Sequence, residues 1–333
     1  MKIAINGMGR IGRASLKVIF DTPELEIEAV NDIVSIDNIA YLLKYDSVYG
    51  FYERDVSHDE QNLIIDGKKI KYSSIRNPEE LPWKENDIEV VIESTGLFTT
   101  REGAEKHIIA DAKTVIISAP TSSINVPTVV HGVNSENGNT NIFSCASCTT
   151  NNISPIVEIL GRRIGIKKAI MTTVHAYTAS QGIVDGPSKK NFRMGRAGGV
   201  NLVPKTTGAA IATTKALPQY AGKFDGIAIR VPIPVGSISD VTFVTEKQIT
   251  VDEVNAILKE EAKTDRYANV LDTTTEPIVS SDIVKSPFAS TVDLSMTKVV
   301  DGDLLKVMIW FDNEWGFTNQ MIRHIIDIQE KNR

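Results

Sequence analysis

The run Ser144-Cys145-Ala146-Ser147-Cys148-Thr149-Thr150-Asn151-Asn152 places a thiol between a strand pattern (residues 141–143) and a helical one (residues 153–163). At a helix N-terminus the amide dipoles favour a thiolate, the form that attacks carbonyl carbon. Two small buried cysteines suit the same segment equally well. His175 favours the chemical alternative, because it lies near the end of a strand-like run, residues 168–177, ahead of a long irregular stretch. An imidazole there reaches a nucleophile as general base. His58, His107, His131 and His324 have no comparable setting.

A second constellation is Gly7-Met8-Gly9-Arg10-Ile11-Gly12, a G-x-G-x-x-G directly after a strand and opening a helix. Gly7 permits the tight turn, Gly9 lets backbone approach a pyrophosphate, and Gly12 lets helix and strand pack closely. The amides at that helix start favour an anion. Asp32 ends the second strand, 20 residues beyond Gly12. A carboxylate there accepts hydrogen bonds from both ribose hydroxyls and repels a 2′-phosphate, which selects NAD over NADP.

The elements that must position these residues differ between the two halves. In the first, strand patterns at residues 2–6, 26–31, 89–93 and 114–118 alternate with helical ones at 10–20 and 101–112, as in βαβ units with a mostly parallel sheet. Asp66-Gly67, between residues 62–65 and 69–72, reads as a hairpin turn. In the second half the strand patterns are longer and alternate, at residues 168–177, 227–231, 239–244 and 304–311, with a further tight turn at Asp301-Gly302. That style predicts an antiparallel sheet with one face covered. Thr250 and Glu253 form a capping-box pattern for a helix over 251–262, and a last helix is expected over 318–328. The fold class is therefore α/β: a doubly wound, Rossmann-type dinucleotide-binding domain plus an α+β catalytic domain on a mostly antiparallel sheet. The expected domains are residues 1–148, completed by a C-terminal helix over 315–333, and residues 149–314.

Composition agrees with two domains, since 333 residues exceed the usual single-domain size of roughly 150. With 42% apolar and 23% charged residues the chain reads as globular, and it has no apolar run long enough for a membrane span. Asn6 and Gly7 arrive too early for a signal peptide, and two cysteines point to a reducing compartment, so a cytosolic location is expected. A net charge of −6 argues against nucleic acid as a primary partner.

The motifs resemble the phosphorylating glyceraldehyde-3-phosphate dehydrogenase family along essentially the whole chain. The matching segments are residues 5–13, Tyr45-Asp46-Ser47-Val48, Ser94-Thr95-Gly96-Leu97-Phe98 and Ala146-Ser147-Cys148-Thr149-Thr150-Asn151. Val174-His175-Ala176-Tyr177-Thr178, Thr206-Thr207-Gly208-Ala209-Ala210, Arg230-Val231-Pro232 and residues 310–316 continue the series in the family's order. The resemblance implies oxidation of glyceraldehyde 3-phosphate to 1,3-bisphosphoglycerate in glycolysis or its reverse. Cys148 would be the nucleophile, His175 its base, NAD the hydride acceptor and inorganic phosphate the final nucleophile. It places Gly7, Gly9, Arg10, Ile11, Gly12, Asp32, Thr95, Gly96, Ser118, Asn313 and Phe317 at the cofactor, with Phe317 standing where the family usually has Tyr. Thr178 and Arg230 would hold the substrate phosphate. Ser147, Thr207 and Gly208 would line the site of the attacking phosphate, with Arg196 nearby, and Thr149 would be a further substrate- or phosphate-binding residue.

By the same resemblance the long segment 178–201, with Lys189, Lys190, Arg193 and Arg196, reaches a neighbouring subunit and implies a homotetramer. An erythrose-4-phosphate dehydrogenase is the enzymatic alternative, which Tyr177-Thr178 and Thr207-Gly208 disfavour. A non-catalytic NAD- or nucleic-acid-binding relative is the other, which needs neither Cys148 nor His175. Three departures stand out. Cys145 replaces a common Asn, Asn152 replaces a usual second Cys, and residues 121–125 are uncharged. The resulting C-x-x-C lacks further ligands, so no metal is expected, although a second thiol can resolve a sulfenic acid as a regulatory disulfide.

Overall fold

In the computed structural model, which describes residues 1–134, 140–188 and 191–331, the apolar run Lys2–Asn6 is a central strand of an eight-stranded sheet. Glu26–Asn31 and Val90–Glu93 flank it, both parallel to it. Thr114–Ile117 and Ile142–Ser144 extend the sheet on one side and Lys68–Ser73 on the other, again in parallel. The strand order thus reverses at Lys2–Asn6, where doubly wound sheets open a crevice beyond the strand C-termini. Ile3, Ala4 and Ile5 are wholly buried, as expected of a strand covered on both faces.

Asn62–Ile65 pairs antiparallel with Lys68–Ser73, and Asp66 and Gly67 between them both have positive φ, the twist that a two-residue hairpin requires. Helices Arg10–Phe20 and Arg101–Ile109 follow the glycine turn and strand Val90–Glu93. Helix Ile36–Lys44 is an element that the sequence pattern does not announce.

The second sheet has seven strands, in the order Val203–Thr206, Phe224–Val231, Ile166–Ala176, Ser237–Thr245, Leu304–Phe311, Ser290–Val300 and Leu271–Thr274. Four of its six pairings are antiparallel. Burial alternates along the whole of Ser237–Thr245, so one face is covered. Helices Cys148–Arg163, Ala209–Ala216 and Val251–Glu261 pack on the sheet, the last with the expected Thr250–Glu253 capping box. Helix Cys148–Arg163 starts five residues earlier than its apolar pattern, because Ser147 accepts a hydrogen bond from the Thr150 amide at 3.1 Å and caps it there.

The described residues divide into two compact units, 1–129 with 140–146 and 321–331, and 130–134 with 147–320. The final helix, Trp315–Lys331, therefore changes unit within its length rather than at its start. Gln320 holds the first part in the second unit by donating to the carbonyls of Asn269 and Pro287, at 3.0 and 2.8 Å.

Candidate functional site

In the first unit the three glycines of the turn differ in what surrounds them. Gly7 has φ +96°, and a Cβ there would lie 2.7 Å from the Thr95 amide nitrogen. A Cβ on Gly12 would lie 1.9 Å from the Gly7 carbonyl oxygen, so helix and strand touch through backbone alone. Around Gly9 the space is open. Gly9 is also the N-cap of Arg10–Phe20, and no side chain caps the helix or places an acid in its first turn. A helix start without a side-chain cap, beside a glycine with open space around it, suits the approach of a pyrophosphate.

Asp32 accepts from the amides of Met8 at 2.6 Å and Val34 at 3.0 Å, which ties the glycine turn to the end of the second strand. A cleft of about 280 Å³ lies here, lined by Gly7, Gly9, Asp32, Ile33, Thr95 and Leu97. These residues fit a dinucleotide. Arg10 turns its guanidinium to Asp46 at 2.5 Å and over the Tyr49 ring. Ile11 follows it in the helix. Thr95 donates through its amide to Glu93 at 2.8 Å, Gly96 has φ +73°, and the Ser118 hydroxyl donates to the Glu93 carbonyl at 3.0 Å.

Beneath the cleft lies a group that the sequence reading passed over. Asn6, Glu93, His107 and Trp83 are buried together. The Glu93 carboxylate accepts from Asn6 Nδ2 at 2.7 Å and meets His107 Nε2 at 3.0 Å, and Trp83 Nε1 donates to His107 Nδ1 at 3.0 Å. An acidic residue closing the apolar run Val90–Glu93 was the available signal.

In the second unit Cys148 is the first residue of its helix. Ala146, just before the cap, has φ +60°, a conformation that costs a non-glycine residue about 1–2 kcal/mol and turns the chain sharply from strand into helix. Strand Ile166–Ala176 brings His175 to the sulfur, with Sγ 3.3 Å from Nε2. The other ring nitrogen, Nδ1, lies 2.7 Å from the Ala176 carbonyl and donates to it, which leaves the Nε2 lone pair facing the thiol. Arg230 Nη1 donates to the same carbonyl at 2.7 Å and lies 3.0 Å from Nδ1. Phe311 closes the ring from the side, edge-on at 5.8 Å.

Burial disfavours charge on both members of this pair. Burial pushes the Cys148 thiol up, although Arg230 and the amide and hydroxyl of Thr149 pull it down. The residue keeps a partial opening to solvent. Burial, and then the charge of Arg230, depresses His175 to about 3. The thiol proton lies on the Sγ–Nε2 line, so Nε2 is the group placed to take it when sulfur attacks a carbonyl. Cys145 is also a free thiol, and it is buried.

Of the remaining candidates, Thr207 accepts from the Ala209 amide at 3.2 Å, and Gly208 begins helix Ala209–Ala216 without a side-chain cap. Thr178 shares a 2.9 Å hydrogen bond with Ser180. Arg196 is paired instead with Asp185 at 2.8 Å. Lys189 and Lys190 lie outside the described residues. Asn313, which is buried, accepts through Oδ1 from the Gly236 amide at 3.2 Å and the Ser237 hydroxyl at 2.9 Å, which fixes the side-chain amide. Phe317 is buried early in the last helix. Asn152, in place of a second cysteine, donates to the carbonyls of Ala289 and Trp310 at 3.2 and 3.3 Å and ties its helix to the sheet.

A doubly wound fold with an open glycine turn, and a thiol–imidazole pair attended by arginine, define a dinucleotide-dependent thiol dehydrogenase. Comparison with known proteins is specific. Residues 1–101 match the family described as glyceraldehyde 3-phosphate dehydrogenase, NAD binding domain, and residues 147–313 match the C-terminal domain of the same family. Proteins named glyceraldehyde-3-phosphate dehydrogenase from Streptomyces coelicolor and Clostridium pasteurianum are 45% and 43% identical to the chain, each over 97% of it and 96% of the relative. One from Bacillus subtilis, named glyceraldehyde-3-phosphate dehydrogenase 1, is 43% identical over 97% of the chain and 96% of its own length. The chain belongs to the glyceraldehyde 3-phosphate dehydrogenase family, and NAD is the cofactor of its N-terminal domain.

Proposed function

We propose that this protein oxidises glyceraldehyde 3-phosphate and joins the product to inorganic phosphate, giving 1,3-bisphosphoglycerate. The observation that carries this reading is the 3.3 Å approach of Cys148 Sγ to His175 Nε2 beside Arg230. The thiol proton passes to Nε2 as sulfur bonds to the aldehyde carbon, and Nε2 returns it to the new alkoxide, giving a thiohemiacetal. Nε2 then accepts the hydroxyl proton as the carbon loses hydride and the thioester forms. Bound NAD supplies the acceptor for that hydride. A phosphate oxygen attacks the thioester carbon, the carbon–sulfur bond breaks, sulfur recovers its proton from His175, and the proton of the attacking hydrogenphosphate passes to water. The covalent thioester conserves oxidation energy that water would release, so exclusion of water matters.

Thr178 and Arg230 suit the substrate phosphate, and Ser147, Thr149, Thr207 and Gly208 the attacking one, because hydroxyls, uncapped amides and guanidinium are the donors phosphate oxygens take. Asn313 suits the nicotinamide carboxamide. The test is NAD reduction by glyceraldehyde 3-phosphate with and without inorganic phosphate, with erythrose 4-phosphate as rival substrate. Unchanged reduction after alkylation of Cys148 defeats the reading.

A homotetramer fits the exposed apolar side chains of the long segment after His175, where Ile183 is 92% and Phe192 88% exposed, and the bare Ile170 and Ile227 on the sheet. Light scattering decides it. A cytoplasmic location fits two free thiols and the absence, among the described residues, of any helix able to cross a membrane. Fractionation checks it.

A further inference from the structure

Edge strand Val203–Thr206 carries a cation that the reading above does not use. It pairs antiparallel with Phe224–Val231, with Val203 opposite Arg230 and Lys205 opposite Ala228. Phe224–Val231 in turn runs parallel to Ile166–Ala176, with Arg230 beside His175. Opposed residues share a face of a sheet and alternate residues return to it, so Lys205, Arg230 and His175 stand on one face. Lys205 is the diagonal neighbour of Arg230, a separation of about 7–8 Å between backbones that a lysine side chain easily spans.

The charge on this face is one-sided. Lys205 is half-buried, and among the described residues no carboxylate or carbonyl holds its ammonium. Arg230 has no carboxylate either; its Nη1 is bonded to a backbone carbonyl, and its buried Nε has no acceptor. Burial, and then Arg230, weakens the hold of Lys205 on its proton, while Lys205 contributes to the depression of His175. Two like charges, part desolvated and unpaired, cost the free protein stability. Such a pair is retained where an anion completes it.

We propose that Lys205 is a further anion-binding residue of this site, acting with Arg230 to hold the oxygens of a doubly charged phosphate group. The inference rests on the reaction proposed above for the reactants that bring the phosphate. Two sources share this chemistry, the phosphate carried by the aldehyde and free inorganic phosphate. Lys205 immediately precedes Thr206-Thr207-Gly208 and neighbours Arg230, so it borders the donors assigned to each.

Lys205→Met and Lys205→Arg test it. Steady-state KM is measured separately for inorganic phosphate and for glyceraldehyde 3-phosphate, together with protection of Cys148 from iodoacetamide by inorganic phosphate alone. Lys205→Met raises one KM about tenfold with kcat close to wild type, and Lys205→Arg recovers most of the loss. The KM that moves identifies the bound oxyanion, and a loss of protection in Lys205→Met assigns it to free phosphate. Unchanged KM values and unchanged protection in Lys205→Met overturn the proposal. So does a Lys205→Arg variant as impaired as Lys205→Met. A wild-type protein that reduces no NAD with these reactants defeats the proposed reaction, whereas protection by phosphate that Lys205→Met abolishes still upholds the anion site.

Discussion

His175 Nε2 faces the Cys148 sulfur at 3.3 Å on a ring whose other nitrogen is committed to the Ala176 carbonyl. That commitment selects the tautomer able to take the thiol proton. His175→Asn keeps a polar side chain but no base, so kcat falls by about 10²–10⁴-fold. Alkylation of Cys148 slows as well, because the thiol then loses its proton to solvent unaided. Stopped-flow NAD reduction and iodoacetamide kinetics measure the two effects, and a variant that alkylates at the wild-type rate contradicts the assignment.

The opposed shifts of the pair set its pH dependence. With the thiol pushed up, Cys148 reactivity in the free protein climbs with pH to a midpoint above the ordinary thiol value. Arg230→Met moves the midpoint higher still, since the guanidinium is what pulls it down. For stability the sign is set by His175, depressed to about 3 by burial and then by Arg230. Between about 6.5 and this folded-state value the unfolded chain binds the proton and the folded one does not, so stability falls as pH drops through that window. Denaturant midpoints at pH 7, 5 and 4 fall more steeply for wild type than for His175→Asn.

Two glycines three residues apart in the turn predict opposite outcomes on substitution. Gly9→Ala enters open space at an extended φ of −69°, so thermal stability stays near wild type while NAD affinity drops. Gly12→Ala drives a methyl onto the Gly7 carbonyl oxygen at 1.9 Å and destabilises the fold by about 1–3 kcal/mol. Differential scanning calorimetry with and without NAD separates the two.

Asp32 has two duties that one pair of variants divides. It accepts from the Met8 amide at 2.6 Å, which shapes the turn, and its charge repels a 2′-phosphate. Asp32→Asn keeps an acceptor and removes the charge, so the preference for NAD over NADP shrinks by about tenfold while NAD turnover survives. Asp32→Ala loses both. Side-by-side titration with the two cofactors reads the difference.

Legibility followed the range of the interactions. The glycine turn and Cys148 were readable because each is set by neighbours within a few residues, as Gly12 against Gly7 and Ser147 against Thr150 show. The upward push on the thiol was not, since burial depends on the whole second unit. Strand Ser290–Val300 was hidden by Asp293, which is buried yet accepts from Ser295 and Trp310 beside an irregularity in the ladder. Lys205 gains meaning only through its register with Arg230, 25 residues further on. His107 looked featureless because Glu93 and Trp83, 14 and 24 residues away, are what give it a role.

That last group yields a prediction of its own. Trp83 Nε1 can only donate, so His107 Nδ1 carries the lone pair and Nε2–H donates to Glu93 at 3.0 Å. Glu93 also accepts from Asn6 at 2.7 Å and from both the amide, at 2.8 Å, and the hydroxyl of Thr95. Glu93→Gln turns half of this acceptor into a donor facing other donors, at a cost of about 2–3 kcal/mol for the buried groups left unpaired. Asn6 and Thr95 line the cofactor cleft, so the KM for NAD rises with the loss of stability. Trp83→Phe removes one donor from His107 without disturbing the carboxylate, so it lowers stability while the KM for NAD stays near wild type. Equal effects of the two variants on that KM contradict a positioning role for Glu93.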